Sequence, residues 1–216
     1  MYKLFRQPES DEVCIIGADP ADGGSDYCAA IAKSKKHSDS FLVLHQRMES
    51  SQFGYELHKM AKFIQKATGH YPLIGVERNT GAATISTLQL LNYSNLFRMP
   101  KLGVAYMDEE ENGKIGWITN GYTRPKMLDD LSLSLRQKTN VIYDEVTVRE
   151  LMSFIRNSRS GRPEGAPGAN DDLVMAEAIA WQICLLAPAT AKESLESQVH
   201  KFPKQELFDK HGNPTV

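Results

Sequence analysis

The stretch Val13-Cys14-Ile15-Ile16-Gly17-Ala18-Asp19 decides the fold. It runs without charge up to an aspartate, and a short apolar run of this kind makes a strand buried on both faces. Ala21-Asp22-Gly23-Gly24-Ser25 follows, a turn by composition. Two more strand-like stretches, Asp26 to Ala32 and Phe41 to Gln46, flank Lys33-Ser34-Lys35-Lys36-His37, whose lysines are expected in a solvated turn. Three strands on short connections predict an antiparallel meander. The pattern then changes period. Phe53, Leu57, Met60, Ala61 and Ile64 share one face of an amphipathic helix that Gly69 stops. Pro72-Leu73-Ile74-Gly75-Val76 is a second buried strand, and it too ends on an acid, Glu77. A helix from about Thr80 to Leu91 and a short strand around Leu96 to Met99 come next. Helix–strand alternation after a meander joins parallel strands to antiparallel ones, so the expected class is α/β, a mixed sheet flanked by helices.

Farther along, Asn112-Gly113 between two alternating stretches signals a hairpin within residues 103–120. Leu128, Leu131 and Leu135 mark one helix, and Val148, Leu151, Met152 and Ile155 another. Asn157 to Ala169 is rich in Arg, Ser, Gly and Pro and is expected as a loop. A final helix runs from about Asp171 to Leu186, with Asn170 or Asp171 as N-cap. The organisation expected is a lead-in over residues 1–12, one domain over 13–187 and a polar tail over 188–216.

Composition narrows the function. The 216 residues carry a net charge of −2, with 25 basic against 27 acidic side chains, which excludes nucleic-acid binding driven mainly by overall charge. An enzyme that brings its positive charge as metal ions stays open. No apolar run is long enough to span a bilayer, and the first residues lack a signal peptide's apolar stretch. Cys14, Cys28 and Cys184 are scattered and form neither a disulfide framework nor a CxxC pair, which points to a reducing cytosol. The histidines show no zinc spacing, and no GxSxG supports a serine nucleophile. Trp117 and Trp181 are expected as packing residues, and Asp26 in a structural role.

Asp19 and Glu77 each sit at the C-terminal end of a buried strand, and Asp171 and Asp172 open the last helix. If the two strands are parallel neighbours, their acids lie side by side at the sheet edge where open α/β sheets place ligands. Clustered carboxylates suit hard divalent cations such as Mg²⁺ or Mn²⁺. Two such ions ~3.5–4 Å apart activate water and stabilise the leaving oxygen of a phosphodiester. Each acid alone has a plainer role, Asp19 as a solvated turn residue and Asp171 as a helix cap. Arginines 156, 159 and 162 lie in the loop leading to the acidic pair and suit phosphate contact. Arg124 and Lys126 suit either the DNA backbone or a helix-start surface.

The motifs GADPADGGSDYCA (17–29), GVERNTGA (75–82), GWITNGYTRPKMLDDL (116–131) and GANDDLVMAEAIAW (168–181) resemble the C-terminal nuclease domain of the large terminase subunit of tailed bacteriophages. The resemblance spans roughly residues 13–186 and implies an RNase H-like fold with metal-dependent DNA endonuclease activity that cuts concatemeric viral DNA during packaging. It implies catalytic and metal-holding roles for Asp19, Glu77 and the pair Asp171 and Asp172, with two Mg²⁺ or Mn²⁺ ions and 3′-hydroxyl and 5′-phosphate products. The hairpin near 104–119 would be the added element beside the active site. Implied partners are double-stranded DNA, the terminase ATPase domain, the portal and the small terminase subunit, in the cytoplasm of the infected host. No GxxxxGK[ST] loop is present, so this polypeptide would cut without translocating. Two rival readings are a non-catalytic docking module of the packaging motor and a nucleotide-binding fragment of the actin-like fold, suggested by GADPADGGSDY.

Overall fold

The computed structural model describes residues 1–21, 27–99, 113–156, 163–165 and 170–187, with backbone alone at 154–156 and 163–165. Strands β1 (Tyr2–Leu4), β2 (Cys14–Asp19), β3 (Tyr27–Ser34) and β4 (Asp39–Arg47) open the chain. Helix α1 (Ser50–Thr68), strand β5 (Leu73–Val76) and helices α2 (Ala82–Leu90) and α3 (Thr123–Arg136) follow. Strand β6 (Val141–Ile142), helix α4 (Glu145–Ser153), strands β7 (Phe154–Arg156) and β8 (Pro163–Gly165) and helix α5 (Asp172–Leu186) complete it.

Among the described residues the main sheet runs β1-β4-β3-β2-β5, with β6 added beside β4. The expected meander is β2-β3-β4, and β5 lies parallel to β2, with Ala18 opposite Val76. Alternation along β2 sorts its side chains by layer. Cys14, Ile16 and Ala18 pack with Phe53, Leu57, Met60 and Ile64 of α1, whereas Ile15 joins the cluster made by α3 and α5. The stop at Gly69 is as expected. Gly69 takes φ 84° as the left-handed cap of α1, a conformation that costs glycine least.

Helix α5 is buried along almost its whole length and lies close against the sheet. Gly17 and Gly75 permit this approach. A Cβ on Gly17 would collide with the Ala176 carbonyl oxygen, and one on Gly75 would collide with Ile183 Cδ1. These two glycines set the depth of α5, and so the height of the acids at its start.

Several expectations give way. Lys33 lies in β3, not in a solvated turn, and its side chain is fully enclosed. Its ammonium sits 2.9 Å from Glu177 of α5, 2.8 Å from Ser40 Oγ and 2.5 Å from Asn140 Oδ1. Glu177 in turn accepts from Ser40 Oγ at 2.6 Å and from Asn140 Nδ2 at 3.1 Å. The buried charge is tolerated because this quartet satisfies it. Lys36 does reach the surface, pairing with Glu9, while Lys35 donates to the Cys184 carbonyl. On α4 the buried residues are Thr147 and Glu150, whereas Met152 is 81% exposed and Ile155 falls in β7. The helix expected there is present, and Leu151 and Val146 pack against the core beside the buried Thr147 and Glu150. The loop expected over 157–169 contains β8, paired with β7. Leu96 and Arg98 form isolated bridges in place of a continuous strand. The lead-in contributes β1, and Arg6 behind it clasps Glu12 and Asp39 at 2.7 and 2.8 Å. The turn at 22–26, Asp26, the hairpin tip, Arg159, Arg162 and the tail lie outside the described residues. The base of the hairpin is described, with the Met99 amide donating to the Lys114 carbonyl at 3.0 Å.

Candidate functional site

Strand direction brings the first two acids together. The Glu77 amide donates to the Ala18 carbonyl at 2.8 Å, so the parallel ladder continues to the end of β2 and sets Glu77 beside Asp19. Both project on the face that carries α5. Helix α5 begins at that same edge, with Asp171 at its N-cap position and Asp172 as its first residue.

Each carboxylate has a distinct setting. Glu77 is buried, and its Oε2 accepts from the Thr80 amide at 3.2 Å and the Thr80 hydroxyl at 3.1 Å. That hydroxyl also lies 2.9 Å from the Pro20 carbonyl, which ties the Glu77 turn to the chain leaving Asp19. Asp171 caps nothing with its side chain; its Oδ2 instead accepts from Arg124 Nη2 at 2.7 Å. Asp172 Oδ2 stands 3.9 Å from His45 Nε2. Asp19 bears the electrostatic consequence. Burial raises its pKa well above the usual carboxylate range, and Glu77, Asp172 and Asp171 raise it further against a smaller opposing effect of Arg124.

The start of α5 is held from outside. Glu150 of α4 accepts the Leu173 amide at 3.0 Å, doing from another helix what an N-cap side chain does from its own. Burial raises the Glu150 pKa to about 7. At the far end of the ladder Ala29 pairs with both Asp19 and His45, so Asp19 and His45 lie in one cross-strand row.

This arrangement of sheet and helices has solved counterparts. The large terminase nuclease of the thermophilic phage G20c with bound magnesium superposes with a TM-score of 0.64 at 14% identity, over 84% of this chain and 86% of that one. The Thermus phage P74-26 large terminase nuclease domain gives 0.62 at 14%, over 83% and 84%. The fold is that of large-terminase nuclease domains. A whole large terminase from another thermophilic bacteriophage, in complex with ADP, gives 0.57 at 14%, with 83% of this chain covering 41% of that one. The G20c nuclease also has structures with bound cobalt and zinc. No family model and no curated protein sequence matches the chain.

Asp19, Glu77, Asp171 and Asp172 all offer oxygen donors, the kind hard divalent cations take, at one edge of the sheet. Asp19 resists ionisation because it is buried and because other carboxylates add to that effect, and a bound cation would offset both, so in that respect the residues fit a metal. Among the described residues no three acidic, histidine or cysteine side chains converge on one ion position. Arg124 draws Asp171 aside, and Thr80 fixes Glu77.

Of the basic residues singled out from sequence, Arg124 reaches this edge, while Lys126 pairs with Asp130 along α3 at 2.6 Å. The side chain of Arg156 lies outside the described residues, as do Arg159 and Arg162. Sequence reasoning missed Thr80, His45 and Glu150. Thr80 carried a signal, since it stands three residues after Glu77, the spacing at which a turn closes on its own side chain. His45 and Glu150 carried none until the pairing of β3 with β4 and of α4 with α5 was known. No helix among the described residues is long and apolar enough to cross a membrane.

Proposed function

We propose that this chain is a divalent-metal-dependent DNA endonuclease of a phage packaging motor, with Asp19, Glu77 and one or both of Asp171 and Asp172 as its catalytic, metal-holding carboxylates. The observation that carries the proposal is the gathering of these acids, from two parallel strands and one helix, around an Asp19 whose proton affinity is driven upward. The solved G20c nuclease with magnesium supports the choice of metal class. Two Mg²⁺ or Mn²⁺ ions, when bound, supply charge that lowers the pKa of water and offsets negative charge at the leaving oxygen.

The chain's own residues position that chemistry. Asp19 projects from the end of β2, between β3 and β5. Thr80 orients the Glu77 carboxylate, and Glu150 holds the start of α5 so that Asp171 and Asp172 face the sheet edge. Arg124 occupies Asp171 when no other cation does, and with Lys126, Arg156, Arg159 and Arg162 it is assigned to the DNA backbone. The match to a whole terminase with ADP, in which this chain corresponds to under half of the length, supports operation alongside an ATPase domain. Portal, small subunit and host cytoplasm follow from that assignment.

Plasmid DNA incubated with the protein and Mn²⁺ should be nicked and linearised, and chelator should abolish this. Asp19→Asn keeps volume and a hydrogen-bonding oxygen while removing the charge, so it should fold normally and cut no DNA. Absence of metal-dependent cleavage by the wild type would refute the proposal in favour of a docking module. ATP binding without cleavage would favour the actin-like reading.

A further inference from the structure

One row beyond the carboxylates, the same face of the sheet carries a stacked column of side chains. Tyr27 and Arg47 are directly opposite each other in the β3–β4 ladder, two residues past the Ala29–His45 pair. Alternation puts all of them on the face of Asp19. The Arg47 guanidinium lies 4.8 Å from the centre of the Tyr27 ring. That ring lies 4.4 Å from the His45 ring, and His45 Nε2 faces Asp172 at 3.9 Å with no hydrogen-bond partner among the described residues. The column therefore runs unbroken from an exposed cation at the rim to an acid of the site.

Arg47 is the unusual member. It is exposed, and among the described residues its partner is the Tyr27 ring, with no carboxylate paired to it. Elsewhere on this sheet cations are matched to acids, as Arg6 is to Glu12 and Asp39 and Lys33 is to Glu177. A cation–π contact holds a guanidinium in place without using its N–H donors, which stay available to an anion. Holding the group in advance also reduces the entropy lost when it binds.

We infer that the Arg47–Tyr27–His45 column is a subsite for a backbone phosphate of the duplex being cut, a few nucleotides from the scissile bond. The inference rests on the nuclease reading and extends it to substrate placement. Arg47 is two strands across from Asp19 and two residues farther out, about 12 Å by strand spacing and rise, or roughly three to four nucleotide rises along one DNA strand. A fixed guanidinium suits a phosphate through paired N–H donors. It also counters the repulsion that four carboxylates impose on an approaching polyanion. Tyr27 is a positioning residue here, and His45 anchors it beside Asp172.

The test measures binding of a short duplex by the Asp19→Asn protein, which does not cut, across a range of KCl concentrations. Arg47→Ala should weaken binding several-fold and reduce the slope of log affinity against log salt by about one, the signature of one lost phosphate contact. Arg47→Lys should restore the slope, and Tyr27→Leu should weaken binding while keeping it. Because Arg47 is exposed, the melting temperature should not move in its variants. Unchanged affinity and slope in Arg47→Ala, or failure of Arg47→Lys to restore the slope, would overturn the subsite. If wild type still cuts plasmid with Mn²⁺ in that event, the nuclease reading survives. A protein that neither binds duplex nor cuts it would overturn both.

Discussion

Replacing Lys33 by Met strands a carboxylate in the core, and the structure fixes what that costs. Both side chains of the Lys33–Glu177 pair are 0% exposed, so neither retains solvent to fall back on. Breaking a buried pair from one side destabilises by about 3–5 kcal/mol, because the remaining charge is uncompensated. Glu177 would keep its bonds from Ser40 and Asn140, which places Lys33→Met toward the lower end of that range. Glu177→Leu leaves an ammonium facing only neutral acceptors and should cost at least as much. The double variant removes both charges and restores apolar contact with Trp181, whose ring centre lies 5.7 Å from the Lys33 nitrogen. It leaves Ser40 and Asn140 short of partners, at about 1–3 kcal/mol for each unsatisfied group. With the middle of that range, the double variant should therefore be more stable than the two single losses summed by about 2 kcal/mol of coupling. Urea unfolding of the four proteins measures this directly. Additivity within about 0.5 kcal/mol would refute the argument that the pair acts as a unit and pins α5 to the sheet.

The other predictions concern the site and the helix above it. In the wild type Mn²⁺ at ten times its dissociation constant should add about 1.4 kcal/mol of stability. Asp172→Asn should match or exceed the wild type in chelator and gain less from the metal; thermal melts with and without Mn²⁺ would show otherwise if both proteins ignore it. Glu150 has its pKa raised from 4.5 to about 7, so its ionisation opposes folding. Wild-type stability should fall from this group as pH rises through that window, by up to about 3 kcal/mol, and Glu150→Gln should remove that fall; denaturant melts in chelator at pH 5 and pH 8 measure the difference. Gly17→Ala drives a Cβ into the Ala176 carbonyl and Ala180 backbone, whereas Gly75→Ala meets chiefly the end of Ile183, which can rotate. Both should cost about 1–3 kcal/mol or more, with Gly17→Ala clearly the worse by equilibrium unfolding.

Much of the sheet was legible because burial on both faces leaves a local mark. Cys14 to Ala18 and Leu73 to Val76 are uninterrupted apolar runs, and the α1 face repeats at helical spacing up to a glycine with φ 84°. The acids were legible for the same reason. A charge that directly ends a buried strand stands out, and the α5 start was marked by its own pair of aspartates.

The main buried strands, the longer helices, their order and the acids that end β2 and β5 are thus written in the residues, since these follow from the period of hydrophobicity and from local turn chemistry, whereas the short strands β1, β6, β7 and β8 left no such mark. The partners are not, and they emerge only once the chain is folded. Lys33 reads as part of a basic turn until Glu177, in the last helix, is packed over it. Spacing marked α4 as a helix but did not show that Glu150 and Thr147 would be buried on it, because the need met there is the Leu173 amide of α5. Arg124 found Asp171 and His45 came to face Asp172 through contacts between elements far apart in the chain. A hydrogen bond or ion pair depends on where two side chains meet in space, and residues so far apart in sequence leave no periodic trace of that meeting.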